Sequence, residues 1–333
     1  MTNRFDELSH WLRHDVGISK FTIAPASSDA SFRRYFRIMY DDKSVIAMDA
    51  PPETENSRQY VIIAQLLHDM GLNVPVILEA DLAHGFLLIS DLGDRTYLNE
   101  LTENNAHHLY DDAIEALVKM QIAGPSEEGV LPGYNETLLK REMGLFPEWF
   151  LTKHLSMTLS DDQQEILENT FDILCRTALL QPRVCVHRDF HSRNLMITEK
   201  QNPGILDFQD AVIGPITYDL VSLLRDCYIA WPYEQVSAWI KNYQQRAQAA
   251  GAIKNISHEE LVYWFDLMGV QRHLKAIGIF ARLNIRDSKP GYLQDIPRTL
   301  GYVVEVSKRY PELRGLYALT NTLLQSEVNN IRH

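Results

Sequence analysis

The chain has 333 residues, 45% of them hydrophobic, which is enough for one large core or two ordinary ones, and two lobes are expected. Its 32 Lys and Arg stand against 44 Asp and Glu; the formal net charge of -12 repels nucleic acid and anionic membrane and leaves a small molecule as the expected partner of a monomer. A polar, acidic start without a secretory pattern, the lack of any apolar run near the roughly 18 residues of a membrane span, and three scattered cysteines (Cys175, Cys185, Cys227) point to a reducing cytoplasm.

Residues 1–93 read as a small β-rich lobe. Residues 32–38 and 44–48 are strand-like runs joined through the turn residues Asp41-Asp42-Lys43. From residue 57 to 70, Val61, Ala64, Leu66 and Leu67 keep helical spacing, and Gly71 is suited to the left-handed end of that helix. Residues 75–78 and 85–89 are again short, apolar and strand-like. Past Asp91-Leu92-Gly93-Asp94 the period lengthens from two toward four. Leu98, Leu101, Leu109, Ala113, Leu117 and Met120 form one stripe, Ile166, Phe171, Leu174 and Ala178 a second, and Leu220, Leu223, Leu224 and Cys227 a third. Residues 94–333 are therefore expected as a larger, mainly helical lobe, giving an α+β, bilobal chain whose helical pattern runs to about Leu324. Residues 184–197 and 203–208 interrupt the helices as a loop with short β segments.

The chemistry is concentrated in that interruption. His187-Arg188-Asp189 is followed by Asn194 five positions past the Asp, then by Asp207-Phe208 after a hairpin-length interval. This is the spacing of a kinase catalytic loop, in which the first Asp accepts the acceptor hydroxyl's proton while the Asn and second Asp hold Mg²⁺ against phosphates. Phosphoryl transfer asks little covalent help of a protein, so the site has to position a nucleophile and neutralise charge through metal-bound oxygens. His187 and Arg188 read equally well as scaffold groups. Ser27-Ser28-Asp29-Ala30-Ser31 lies between strand-like segments; its small side chains let backbone N–H groups approach phosphates, while Asp29 brings a charge they would repel, and the bare motif equally marks a turn.

Further text carries a resemblance: residues 28–37, Met48-Asp49-Ala50-Pro51-Pro52-Glu53, Leu145-Phe146-Pro147-Glu148-Trp149, Asp207-Phe208-Gln209-Asp210, Gly214-Pro215 and Tyr218-Asp219-Leu220. From about residue 20 to 300 the chain resembles the aminoglycoside phosphotransferase and choline kinase superfamily, and within it the cell-wall-recycling kinases that phosphorylate the anomeric hydroxyl of N-acetylmuramate and N-acetylglucosamine. The resemblance implies a bilobal protein-kinase-like fold, ATP and Mg²⁺ as cofactors and an amino sugar as substrate. It implies Asp189 as base, Asn194 and Asp207 as metal ligands, Ser27, Ser28, Asp29, Ala30 and Ser31 as the phosphate-covering loop, and Ser90 and Leu92 as the hinge that meets adenine. Arg141, Glu142, Trp149 and His191 are expected toward the acceptor, with Trp149 stacking on a sugar face and Arg141 meeting a lactyl carboxylate; a solvated amphipathic helix with a core tryptophan is the other reading of that segment. Asp219 is expected to brace the catalytic loop.

One departure stands out: Met48 occupies the strand position of the superfamily's phosphate-gripping lysine, and the matching helix acid falls near Gln59. One of Arg33, Arg34 and Arg37 is expected to replace the cation, Arg34 being the residue assigned to the cofactor site, with strand alternation putting Arg33 and Arg37 on the face opposite Arg34. Two other functions compete. An aminoglycoside or amino-alcohol phosphotransferase would use the acidic balance to attract a cationic acceptor. A non-catalytic nucleotide-binding protein is suggested by Met48 and the acidic loop alone.

Overall fold

The structure, a computed structural model, describes residues 3–27 and 33–331, with Ser27 and residues 326–331 described through their backbone alone. It divides into two compact units: Met1–Ala113 with Arg193–Asp210, and Ile114–Ser192 with Ala211–His333.

The first unit opens with α1 (Arg4–His14), whose first turn is capped by the Asn3 side chain accepting from the Phe5 N–H. An antiparallel sheet follows from β1 (Thr22–Ser27), β2 (Arg34–Tyr40), β3 (Lys43–Asp49), β4 (Ile77–Asp81) and β5 (Phe86–Ser90), in the order β1-β2-β3-β5-β4. The β2–β3 turn is made by Asp41 and Asp42, both left-handed at φ 47° and 58°, the backbone a two-residue hairpin requires. That turn fixes the register, with Arg34 opposite Asp49, Tyr35 opposite Met48 and Arg37 opposite Ile46. Leu8, Trp11 and Leu12 of α1 cover Ile38, Val45, Ala47, Phe86 and Leu88 on one face. Alternation then puts Tyr35, Arg37, Ile46 and Met48 on the other.

Helix α2 (Ser57–Asp69) is capped by Asn56 and stops ahead of Gly71, which is left-handed at φ 75°, as its spacing predicts. The stripe predicted from Leu98 to Met120 is not one helix. α3 (Tyr97–Glu100) ends at Leu101, which turns to an extended backbone, and α4 (Ala106–Ala123) starts afresh after the Asn105 side chain accepts from the Thr102 N–H. Apolar spacing alone runs across such a break because the residues on either side still face one core.

In the second unit, β6 (Arg183–Val186) leads into the His187-Arg188-Asp189 loop; the hairpin of β7 (Leu195–Met196) and β8 (Gly204–Ile205) belongs to the first unit, and β9 (Val212–Pro215) pairs antiparallel with β6. From α5 onward the helices of this unit are α5 (Glu136–Met143), a π-helical segment Phe146–His154, α6 (Asp161–Leu179), α7 (Tyr218–Leu224), α8 (Tyr233–Ala249), α9 (His258–Asp287), α10 (Ile296–Arg309) and α11 (Arg314–Ile331), all but α11 packing on α9. The axis of the unit is α9, buried along most of its length. It approaches the turn after α5 at Gly278, where a Cβ would fall 2.4 Å from the Leu145 carbonyl carbon, so that only glycine permits the contact. The three cysteines are free and buried, and among the described residues no helix is long and apolar enough to cross a membrane.

Candidate active site

The first unit holds the acidic hairpin. Pairing of β7 with β8 brings Asn194, just before the first strand, beside Asp207, just after the second; the Leu206 N–H donates to the Asn194 carbonyl at 2.9 Å. Asn194 Nδ2 lies 3.4 Å from Asp207 Oδ2, and Gln209 Nε2 donates to Asp207 Oδ1 at 2.8 Å. Asp207 is left-handed at φ 62°, a conformation that costs free energy in a non-glycine residue and is maintained where position matters. Phe208 beside it is fully buried, its ring 4.9 Å from that of Tyr60 on α2. An Asn and an Asp side by side are hard oxygen donors suited to Mg²⁺, and no group of three or more His, Cys, Asp or Glu among the described residues forms a closed cage, so the remaining ligands would come from phosphate or water.

The other expected nucleotide residues fare unequally. Ser27 ends β1, while Ser28, Asp29, Ala30 and Ser31 lie outside the described residues. At the hinge, Ser90 is tied to the chain leading into β4: its N–H donates to the Val76 carbonyl and its Oγ accepts from the Val76 N–H, both at 2.9 Å. Leu92 makes no backbone hydrogen bond among the described residues, and so offers both a donor and an acceptor. The hinge is held by Asp91, which takes Arg37 Nε at 2.7 Å and Nη2 at 3.1 Å, the Gly93 N–H at 2.9 Å and the Ser44 hydroxyl. Burial pushes the Asp91 carboxyl up, but these donors outweigh it and hold the group below its ordinary value.

Arg34, expected in the cofactor site, stands on the face opposite Met48. Alternation turns it to the α1 face, where it and Arg4 both engage the fully buried Asp49. It neutralises a buried carboxylate on the side of the sheet away from Met48.

The second unit holds the catalytic loop. β6 delivers His187-Arg188-Asp189, and the loop is fixed at its start by Asp219 of α7, whose carboxylate accepts the N–H groups of His187 (2.6 Å) and Arg188 (2.9 Å). Burial pushes Asp219 up to about 7 against those two donors. Its later part is fixed by Asp226, which takes the Ser192 N–H at 2.9 Å and hydroxyl at 2.5 Å. Arg188 is left-handed at φ 77° and sends its guanidinium inward to Glu142. Asp189 is left with 40% of its side chain exposed. Burial pushes its carboxyl up, but the charges of Lys275, His191, Arg272 and Arg188 outweigh that and hold it at about 2.

Behind Asp189 lies a buried charged cluster that sequence reasoning missed. Glu142, expected to face the acceptor, turns inward at 5% exposure and accepts from Arg188, Tyr134 and Lys275 (3.1 Å). Lys275 also reaches the Tyr218 hydroxyl at 3.0 Å, and Gln271 reaches that of Tyr134 at 3.1 Å. Arg272 and Lys275 sit three residues apart in the buried stretch of α9; charged residues among its apolar positions are the signal that could have found them. The remaining acceptor candidates lie differently. Arg141 is exposed on α5, Trp149 is half-buried with Lys153 Nζ 3.5 Å above its ring, and His191 packs edge-on to Tyr228 with Nε2 4.0 Å from Asp189.

The chain is 46% identical to an N-acetylmuramate/N-acetylglucosamine kinase of Pseudomonas aeruginosa, over 97% of each sequence, and 46% identical to one of Neisseria meningitidis over 96% of each. Among solved structures, choline kinase LicA from Streptococcus pneumoniae superposes with a TM-score of 0.65 at 10% identity, covering 91% of this chain and all of that one. The ADP-bound aminoglycoside phosphotransferase APH(2'')-Ib gives 0.59 at 16% identity, covering 90% and 98%. Both share the fold of a small antiparallel sheet lobe and a larger helical lobe. With residues 22–254 matching its model, the chain belongs to the phosphotransferase enzyme family.

Proposed function

We propose that the protein is a small-molecule kinase that transfers the γ-phosphoryl group of ATP to the anomeric hydroxyl of N-acetylmuramate or N-acetylglucosamine. The observation that carries this reading is the near-full-length identity to kinases of those two sugars, at 46–48% in three of them. The site chemistry is consistent with it. Asn194 and Asp207 would hold Mg²⁺, which when bound neutralises phosphate charge, and the Leu92 backbone would pair with the adenine edge.

Asp189 takes the acceptor side. A carboxylate held at about 2 is too weak a base to strip a sugar hydroxyl beforehand. Its part is to accept a hydrogen bond from that hydroxyl, align the oxygen on the phosphorus, and take the proton as the new O–P bond forms in a loose transition state. The surrounding cations keep it ionised, so every enzyme molecule presents an acceptor rather than a donor. Asp219 and Asp226 hold the loop through its backbone N–H groups and the Ser192 hydroxyl. Buried free cysteines accord with a cytoplasmic setting.

An ATP-consumption screen over amino sugars, choline and aminoglycosides, with the product mapped by phosphorus-coupled proton spectroscopy, tests the reading. Phosphate on C1 of N-acetylmuramate or N-acetylglucosamine is the expected result. Phosphate on C6, or aminoglycoside turnover without sugar turnover, would overturn it.

A further inference from the structure

A nucleoside triphosphate needs a protein cation in addition to metal, and Met48 supplies none where the strand lysine is missing. Three arginines precede it on the neighbouring strand, and the structure separates them. Arg34 lies on the α1 face and engages Asp49. Arg37 shares the Met48 face and, like Arg33, stands two residues from Tyr35, but its guanidinium is taken up by Asp91 and the Gly93 carbonyl. Arg33 stands immediately before β2, two residues from Tyr35, and Tyr35 pairs directly with Met48. Strand alternation places Arg33 on the Met48 face at the end nearest Met48.

Arg33 is also held in place. Its guanidinium pairs with Glu55 at 2.7 Å, the two side chains only 8% and 11% exposed, and Glu55 is followed by the Asn56 cap of α2. A cation from the sheet is thereby oriented by an acid at the helix start, although neither residue occupies the lysine and acid positions of the superfamily. A second tie leads to the acidic hairpin. The Tyr60 ring, buried on the first turn of α2, packs on Phe208; besides burial, which raises it, its phenol feels the charges of both Arg33 and Asp207. Arg33 and Asp207 therefore both lie within electrostatic reach of one buried phenol in the same unit. A guanidinium carries five donors in a rigid fork, so one edge can engage a carboxylate while another meets phosphate oxygens.

We propose that Arg33, oriented by Glu55, is the cation that receives the phosphate oxygens of a bound adenine nucleotide in place of the missing strand lysine. This rests on the reading of the chain as an ATP-dependent transferase, and its test separates the two. Calorimetry with ADP and with adenosine, on wild type, Arg33→Ala, Arg33→Lys, Glu55→Gln and Arg34→Ala, reads binding without turnover, with melting temperatures recorded in parallel. Arg33→Ala is expected to raise the Kd for ADP about tenfold or more and that for adenosine less than about twofold, because only ADP carries the oxygens that the guanidinium would meet. Arg33→Lys should fall between, and Arg34→Ala should bind ADP like wild type. An unchanged ADP affinity in Arg33→Ala, or equal losses for ADP and adenosine, would overturn the assignment. If Arg33→Ala does not fold, Arg33→Lys and Glu55→Gln decide by the same ratio: ADP weakened more than adenosine supports the proposal, and equal effects refute it. A wild type that binds neither ligand would overturn the proposed function itself, and Arg33's role with it.

Discussion

Replacing Glu142 with Gln tests whether the inward cluster is what fixes the cations around Asp189. Glu142 is 5% exposed and Lys275 8%, and Arg188 ends on the same carboxylate, so the variant leaves two buried cations without their counter-charge while preserving shape. Breaking a buried ion pair from one side costs about 3–5 kcal/mol. For a unit of this size that corresponds to a fall in Tm on the order of 10 °C. The released Lys275 would be left with Asp189, the other carboxylate whose charge acts on it, and pairing there would withdraw the acceptor of the sugar hydroxyl. The expected kinetic signature is kcat lower by about tenfold or more with a sugar KM changed by less than about threefold. Thermal unfolding followed by circular dichroism and steady-state assays with ATP in excess read both quantities. The double variant Glu142→Gln/Lys275→Met should recover more than half of the lost Tm, because one uncompensated cation goes with the anion. A Glu142→Gln protein that melts within about 1 °C of wild type but loses sugar affinity would refute the reasoning and return Glu142 to the acceptor surface.

Asp189→Asn should leave ADP affinity close to wild type while reducing turnover below about a tenth, measured by coupled ADP release. Asp207→Ala should weaken ADP binding in Mg²⁺ by calorimetry and leave adenosine binding in place, since a hard cation loses one of its few protein ligands. Gly278→Ala should cost about 1–3 kcal/mol in urea unfolding, because its Cβ meets backbone of Leu145 and not a movable side-chain end. On pH, the Asp189 carboxyl at about 2 lies below its ordinary value of 3.8, so its stabilising contribution is complete above about pH 4 and is lost only as pH falls toward 2. A kcat profile at saturating substrates should accordingly show no acid limb from Asp189 above about pH 5, and an acid limb at higher pH that vanishes in Asp189→Asn but persists when Asp219 is replaced would contradict that ordering.

What was legible in the sequence was whatever depends on local spacing. The Asp41-Asp42 turn, the α2 stop at Gly71 and the order Asp189, Asn194, Asp207 could be read because turn chemistry, helix ends and a hairpin-length interval are properties of a few adjacent residues. What could not be read depends on partners far along the chain. Glu142 and Arg141 are neighbours on α5, and only the position of α9 decides that Glu142 points to Lys275 while Arg141 meets solvent. Arg34 and Arg33 are likewise adjacent, and alternation separates their faces without saying which face α1 covers. That is settled by Leu8, Trp11 and Leu12, over twenty residues earlier. The break between α3 and α4 was hidden for a related reason, since an apolar stripe records burial and not backbone continuity.

The same distinction accounts for where the molecule holds its strained residues. Arg188 and Asp207 are both left-handed, at φ 77° and 62°, and each stands next to a buried anchor: the Asp219 carboxylate under the Arg188 N–H, and the fully buried Phe208 ring following Asp207. A conformation that costs on the order of 1–3 kcal/mol persists only where neighbouring contacts over-determine it. At Arg188 the result is a guanidinium drawn back to Glu142 while the next residue, Asp189, is turned to solvent. At Asp207 the carboxylate is brought beside Asn194 while the next residue enters the core. Each strained residue thus separates a group that is buried from a group that must remain open, one residue apart. Both acidic groups thus stand on irregular backbone between short strands and not on the long helices that make up most of the second unit.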